Sequence, residues 1–389
     1  MPISTTECAA GHYAERVGEK TANRSGVVRH RGIRPLERSE VPQMASFLAG
    51  TSDSAGLTSF LEQVLFDHPW ADPETPSLAY VEDGELLGAI GACAKRMRFE
   101  GEEIRMVVSA LVWSHPRVRS RGVGVRLLRA LLAGPQDLTI TDGATDTVRQ
   151  MWEMLGGRTA PLNWFAFHRI FQPWRFGATW LNDRRRVPPL GRFLVPAAGP
   201  LDQLTGRFVR MKLEPRVPSG EIEPLTPTSL AENAGHVTGT VRLHVDYDEK
   251  YLEWMFEQLR RLDDYQLYWL KGLRGSPWAE LVCVRGEPIG WYICLVSPAG
   301  RCRVVQLAAT DRGAPTVVGQ LLHRAASRGV TAISGRLEHR LVAPLVQEPG
   351  LMRFTRAGRM LVHARDERIT NAVLSGDALL TNLDGDWWV

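Results

Sequence analysis

The stretch His115-Pro116-Arg117-Val118-Arg119-Ser120-Arg121-Gly122-Val123-Gly124 limits the possible folds more than any other part of the chain. It follows an apolar, β-branched run of strand length, Met106 to Trp113. Beyond it Val125, Leu127, Leu128, Leu131 and Leu132 recur at helical spacing until Gly134-Pro135 stops the helix. A buried strand therefore feeds a helix through a turn rich in glycine and arginine. The first amides of such a helix have no acceptor in the helical ladder and carry the positive end of its dipole. Gly122 and Gly124 let an anion approach the backbone where a Cβ would intrude, and they tolerate φ values that other residues resist. Arg117, Arg119 and Arg121 add positive charge at the rim. Together these residues predict a seat for a diphosphate. The turn is not the dinucleotide fingerprint, which needs a third glycine.

Composition then excludes several classes. At 389 residues the chain is too long for one ordinary core, so two domains are expected. The 47 basic and 43 acidic side chains leave a net charge of only +4, without the concentrated basic face of a nucleic-acid binder. The five cysteines are odd in number and lack Cys-x-x-Cys spacing; Cys93, Cys283 and Cys294 sit in apolar runs as small hydrophobes. Neither a zinc site nor a disulfide framework is indicated, and no metal is expected. No apolar segment approaches membrane length, and none marks an N-terminal signal, so the cytoplasm is the expected compartment.

The pattern Arg119-x-x-Gly122-x-Gly124, with Pro116 ahead of it and a buried strand before that, resembles the acyl-CoA motif of the GNAT superfamily of N-acyltransferases. The resemblance implies an α/β (α+β) fold: a mixed, mostly antiparallel, twisted sheet flanked by helices. It implies transfer of an acyl group from acetyl-CoA or a longer acyl-CoA to a primary amine, on a small molecule or a peptide. It also implies which residues hold the cosubstrate. Trp113 and Ser114 would line the pantetheine arm through main-chain groups. Val118, Arg119, Ser120, Arg121, Gly122, Val123 and Gly124 would surround the diphosphate, and Thr145 would hydrogen-bond from the next helix. That helix in the family often carries an Asn, an Ala and then a Tyr that protonates the departing thiolate. Here Thr145, Val148 and Trp152 take those places. An indole N–H cannot serve as that acid, so core packing is the expected role of Trp152.

Read in order, residues 1–30 form a flexible polar leader. Domain one is expected over 31–172. It opens with a strand at Gly32 to Leu36, a helix capped by Ser39 and a second helix from Leu57 to Phe66. Strands at Leu78 to Glu82 and Leu86 to Cys93 follow, joined at Asp83-Gly84. After the glycine-turn helix come a strand at Leu138 to Thr141, broken at Asp142-Gly143, a helix from Thr145 to Leu155 and a strand from Asn163 to Phe171 that leaves the domain. Residues 173–217 read as a Pro- and Arg-rich linker. Residues 218–389 repeat the order of elements. Strands are expected near 221–225, 266–271, 279–285, 289–295, 303–309 and 331–334, with Met360 to Ala364 as a last strand. The chain thus resembles a tandem of two GNAT-like domains. The second turn, Thr310-Asp311-Arg312-Gly313-Ala314-Pro315, lacks the motif, so this half is expected to bind no CoA and to complete the acceptor side.

Candidate proton acceptors are Asp142 at the end of its strand, Ser109 in the middle of the motif strand by ordering a water, and the terminal carboxylate at Val389. The last has a parallel in family members whose chain end acts as the base. His115 is read as a solvated rim histidine, and Glu102 and Glu103 as lining the acceptor side or forming a hairpin tip. Two other functions fit the same residues. The acyl donor could be an acyl-carrier protein whose phosphopantetheine enters the same groove, greeted by Arg184 to Arg186. Alternatively, the chain could be a GNAT-like ligand-binding protein without chemistry, a reading that Trp152 favours.

Overall fold

The structure is a computed structural model that describes residues 31–50, 54–183, 198–202, 218–265 and 275–385. The leader, Arg184 to Arg186, the strand expected over 266–271 and Val389 lie outside these residues.

The first half runs β1 (Arg31–Pro35), α1 (Val41–Ala49), α2 (Ala55–Leu65), β2 (Leu78–Glu82), β3 (Glu85–Phe99), β4 (Glu102–Ser114), α3 (Pro116–Arg119), α4 (Val123–Leu132), β5 (Leu138–Ala144), α5 (Asp146–Met154), β6 (Arg158–Ala160) and β7 (Phe165–Ile170). Helix α6 (Pro173–Asp183) occupies the start of the stretch read as a linker. The second half runs β8 (Glu221–Pro224), α7 (Pro227–Thr238), β9 (Leu243–Val245), α8 (Glu249–Arg261), β10 (Ser276–Val284), β11 (Glu287–Val296), β12 (Arg301–Ala309), α9 (Ala314–Ser327), β13 (Ala332–Arg336), α10 (Val342–Gln347), β14 (Met352–Arg356), β15 (Arg359–Ala364) and α11 (Glu367–Ser375).

These strands build two mixed sheets. The first has the order β1-β2-β3-β4-β5-β15-β6, with β9 also on β3; the second has the order β14-β7-β13-β12-β11-β10-β8. The fold class is therefore mixed α/β with two helix-flanked sheets. The halves are interleaved in a way the element order does not reveal. Strand β7 joins the second sheet against β13 and β14, while β15 runs between β5 and β6 in the first. An alternating apolar pattern states that a strand has a buried face; which free edge it pairs with is set by the rest of the fold.

Strand alternation sorts the core into layers. Met106, Val108 and Ala110 of β4 face inward, with Ile140 of β5, and meet Trp291, Ile293 and Val305 of the second sheet across α2 and α8. Val107 faces outward and packs under α4 and α5 with Leu127, Leu128 and Trp152. The outer face of the second sheet is covered by α9 and α10 through Val318, Leu321 and Leu345. The two sheets thus share one core. In α4, Val123, Leu127, Leu128, Leu131 and Leu132 are all buried. At about 1.5–3 kcal/mol for each such side chain, packing alone fixes this helix over β3 and β4; a charge at Leu128 would release it.

Two local expectations are corrected. Ser39 caps no α-helix: it lies in a single 3-10 turn, where the Glu37 amide donates to Glu40 Oε2 at 2.9 Å, and α1 begins at Val41. Nor does β5 break at Asp142-Gly143. It continues to Ala144 because β15 pairs alongside it, Met360 opposite Asp142 and Arg359 opposite Ala144. A turn-like sequence is held extended by a neighbour.

Candidate active site

Strands β4 and β5 pair in parallel only from Met106–Leu138 to Val108–Ile140. Beyond that point they part. Among the described residues no strand lies on the β5-facing edge of β4 from Ser109 to Ser114. A bulge occurs within this stretch. Ala89 pairs with Trp113 and Gly91 with Ala110, so β4 carries one extra residue, and Leu111 takes φ +52°. A leucine in the left-handed region is strained by about 1–2 kcal/mol, and bulges of this kind bend a strand and re-aim its polar groups. The fork therefore offers unpaired backbone of sheet geometry.

The edge of β4 leads into the glycine turn. His115 caps α3, its Nδ1 accepting from the Arg117 amide at 3.3 Å, and its ring stands edge-on to Phe47. Trp113, mostly buried, stacks on the same Phe47 at 4.2 Å. Gly122 has φ +66° as the residue before α4, a conformation natural to glycine. The amides of Val123, Gly124 and Val125 then stand at the helix start, where the ladder supplies no acceptor. A Cβ on Gly124 would meet nothing closer than Met151 Sδ at 3.8 Å, so the approach to these amides is open. Val118 is fully buried beneath the turn, and Ser120 closes α3.

The three arginines are not equivalent. Arg121 forms a two-pronged pair with Glu82 at 2.8 and 2.6 Å, and Arg117 pairs with Glu85. The Arg121 hydrogen bond holds the Glu82 carboxyl below its usual range. Arg119 instead donates from Nε to the Ser114 carbonyl at 3.1 Å. With two guanidinium groups matched by carboxylates, the positive field of the turn falls to the helix start and Arg119.

The remaining expected residues divide. Thr145 caps α5, its Oγ1 accepting from the Val148 amide at 3.4 Å. Trp152 is fully buried in the outer core beneath the same helix. Ser109 is buried, with no hydrogen-bond partner for its hydroxyl among the described residues. Alternation places Ser109 with Val107 on the outer face, whereas Asp142 shares the inner face with Ile140. The structure therefore does not bring these two together. Asp142 instead meets Arg336, from the end of β13, in an ion pair whose two side chains are 3% and 6% exposed.

Sequence reasoning missed the polar groups between the sheets. Lys95 on β3 donates to the Tyr251 hydroxyl from a fully buried position. Tyr247 donates to Asp384, whose Oδ2 also accepts from the Thr381 hydroxyl at 2.6 Å. Gln306 bridges Tyr247 at 2.9 Å and Trp291 at 2.8 Å. Burial pushes the Asp384 carboxyl up. These residues come from six separate elements, so no local spacing announces them.

The second sheet repeats the fork but fills it. Strands β12 and β13 pair in parallel from Arg301 to Val304, and β12 then bulges at Val305. The Val305 carbonyl accepts from the Leu383 amide at 3.0 Å, so the chain's own segment 381–385 lies where an unpaired edge would otherwise be. The turn before α9 is closed as well. Thr310 accepts from the Gly313 and Ala314 amides at 3.0 and 2.9 Å, Pro315 has no N–H, and Asp311 pairs with Arg340. The same segment reaches back to the first fork, where Gly385 packs on Asp142.

The fold defined by these sheets and forks is that of the GCN5-related N-acetyltransferases. The GCN5-related N-acetyltransferase from Anabaena variabilis ATCC 29413 superimposes with a TM-score of 0.55 at 10% identity, over 87% of this chain and 73% of that one. A probable N-acyltransferase from Enterococcus faecalis V583 gives 0.54 at 12% identity, over 89% and 74%, and a GCN5-related N-acetyltransferase from Kribbella flavida gives 0.51 at 14%, over 87% and 72%. No protein-family model matches the sequence, and no curated protein matches it. The likeness is one of three-dimensional arrangement. Among the described residues no helix is long and apolar enough to cross a membrane, and no group of His, Cys, Asp and Glu is placed to hold a metal ion.

Proposed function

We propose that the protein moves an acyl group from an acyl-CoA to a primary amine by direct attack in a ternary complex. One observation carries this reading: the edge of β4 from Ser109 to Ser114, which no strand among the described residues pairs, runs into the bared amides at the start of α4. A pantetheine arm has amides of its own and can add to such an edge as a further strand would. Its diphosphate would then rest on Val123, Gly124 and Val125, with Arg119 beside it. This lays the thioester in the fork between β4 and β5. Aminolysis there needs proximity, a donor for the thioester oxygen and a proton acceptor for the ammonium. The filled fork and closed turn of the second sheet support a single cosubstrate site, the second half shaping the acceptor side. The ion pair to Arg336 makes Asp142 a poor base, because a guanidinium at contact favours the ionised carboxylate.

Calorimetric titration with acetyl-CoA, comparing wild type with Gly124→Asp, tests the reading, with mass spectrometry of a primary-amine panel to detect transfer. Binding that is lost in the variant at unchanged melting temperature supports it. Absence of CoA binding by the wild type sinks it. Transfer from acyl-carrier protein alone, falling steeply with salt, would replace the donor.

A further inference from the structure

Resting on the acyltransferase reading, a second carboxyl stands out between the sheets. Glu338 lies two residues beyond Arg336, where β13 leaves its sheet, and it is buried at 7% exposure. Its Oε1 has no hydrogen-bond partner among the described residues. Buried carboxylate oxygens are ordinarily matched, and leaving one unmatched is costly. The groups acting on it are few. Arg336 is the cation that favours its ionised form, and that guanidinium is already in contact with Asp142. Asp384, on the segment filling the second fork, disfavours ionisation. On its own turn, His339 packs against Gly376, and Arg340 is engaged by Asp311 and Asp377. One guanidinium thus serves two buried carboxyls, and the second is left as an acid able to change its charge.

We propose that Glu338 accepts the proton of the incoming ammonium, with Arg336 as the positioning residue it shares with Asp142. The carboxylate of Glu338 removes one proton from the ammonium. The amine then forms the C–N bond at the thioester carbonyl, and the C–S bond breaks. A second nitrogen proton passes to the departing thiolate, giving amide and thiol, and Glu338 returns its proton to water. Burial lifts this carboxyl to about 8, a value matched to a base working near neutrality.

The test measures acetyl transfer from acetyl-CoA to spermidine, ethanolamine and a peptide with a free N-terminal glycine, between pH 6 and 9.5, alongside CoA affinity. For Glu338→Gln we expect a loss of kcat of at least tenfold, CoA affinity within twofold of wild type, and no rising limb near pH 8. Glu338→Asp should recover part of the rate and the limb. A glutamine variant with wild-type rate and pH profile overturns the proposal and leaves the acyltransferase reading intact. A wild type that transfers to none of these amines overturns both. Should the glutamine variant fail to fold, carbon-13 titration of labelled glutamate in the wild type decides. A carboxyl titrating between pH 7 and 9, absent from Glu338→Asp spectra at that position, supports the proposal, and none above pH 6 overturns it.

Discussion

Arg336 of the second sheet and Asp142 of the first form a buried ion pair where β4 and β5 part. It ties together two sheets whose strands are already exchanged through β7 and β15. Removing one partner strands the other charge without water. Arg336→Met should therefore destabilise the protein by about 3–5 kcal/mol, while Asp142→Leu combined with Arg336→Met should recover much of the loss. Urea unfolding of the single and double variants measures both, and an additive double variant would contradict the coupling.

At the glycine turn, two substitutions separate backbone strain from anion binding. Gly122→Ala places a side chain at φ +66° and should cost about 1 kcal/mol of stability. Gly124→Asp meets only ordinary contacts near 3.8 Å, so the fold should persist. Its carboxylate would sit among the amides on which the proposed diphosphate rests. A fall in CoA affinity of about 100-fold, equal to about 2.7 kcal/mol, is expected by calorimetry at unchanged melting temperature.

Glu280 supplies an acid-sensitive prop under the second sheet. Burial raises its carboxyl, but hydrogen bonds from Arg324 and Tyr292 outweigh this and bring it to about 2. The depressed value means that this stabilisation is present above about 4.5 and is lost as pH falls toward 2. Both arginine partners, 2.6 and 2.9 Å away, reach solvent, so the effect is discounted to about 2 kcal/mol at neutral pH. Glu280→Gln should lose that amount at pH 7 and converge with wild type near pH 2 in thermal melts.

Glu338 has the opposite sign. Its folded carboxyl lies near 8, above the unfolded value of 4.5. Its contribution is therefore full below 4.5 and is lost as pH rises through 8. Melting of the wild type should decline across that window relative to Glu338→Gln, which cannot ionise. Parallel melting curves from pH 5 to 9 would contradict the burial of this acid.

The glycine turn was legible in the sequence because its physics is local. Met106 to Trp113, Gly122 and the apolar spacing of α4 state a strand, a turn and a helix within thirty residues, and the structure has them there. Ser109 and Asp142 were also legible as residues near the fork. Their placement on opposite faces follows from alternation once the strand register is known. The bulge at Leu111 left no mark, because nothing in a leucine announces a positive φ.

By itself the sequence determined most of the elements, the glycine turn that opens α4 and the unequal second turn, each specified by neighbours in the chain. Tertiary structure decided the rest: the exchange of β7 and β15, the filling of the second fork by residues 381–385, and the meeting of Asp142, Arg336 and Glu338 between the sheets. Covalent spacing governs a helix or a turn, whereas edge pairing and the burial of charge depend on which distant surfaces exclude water together.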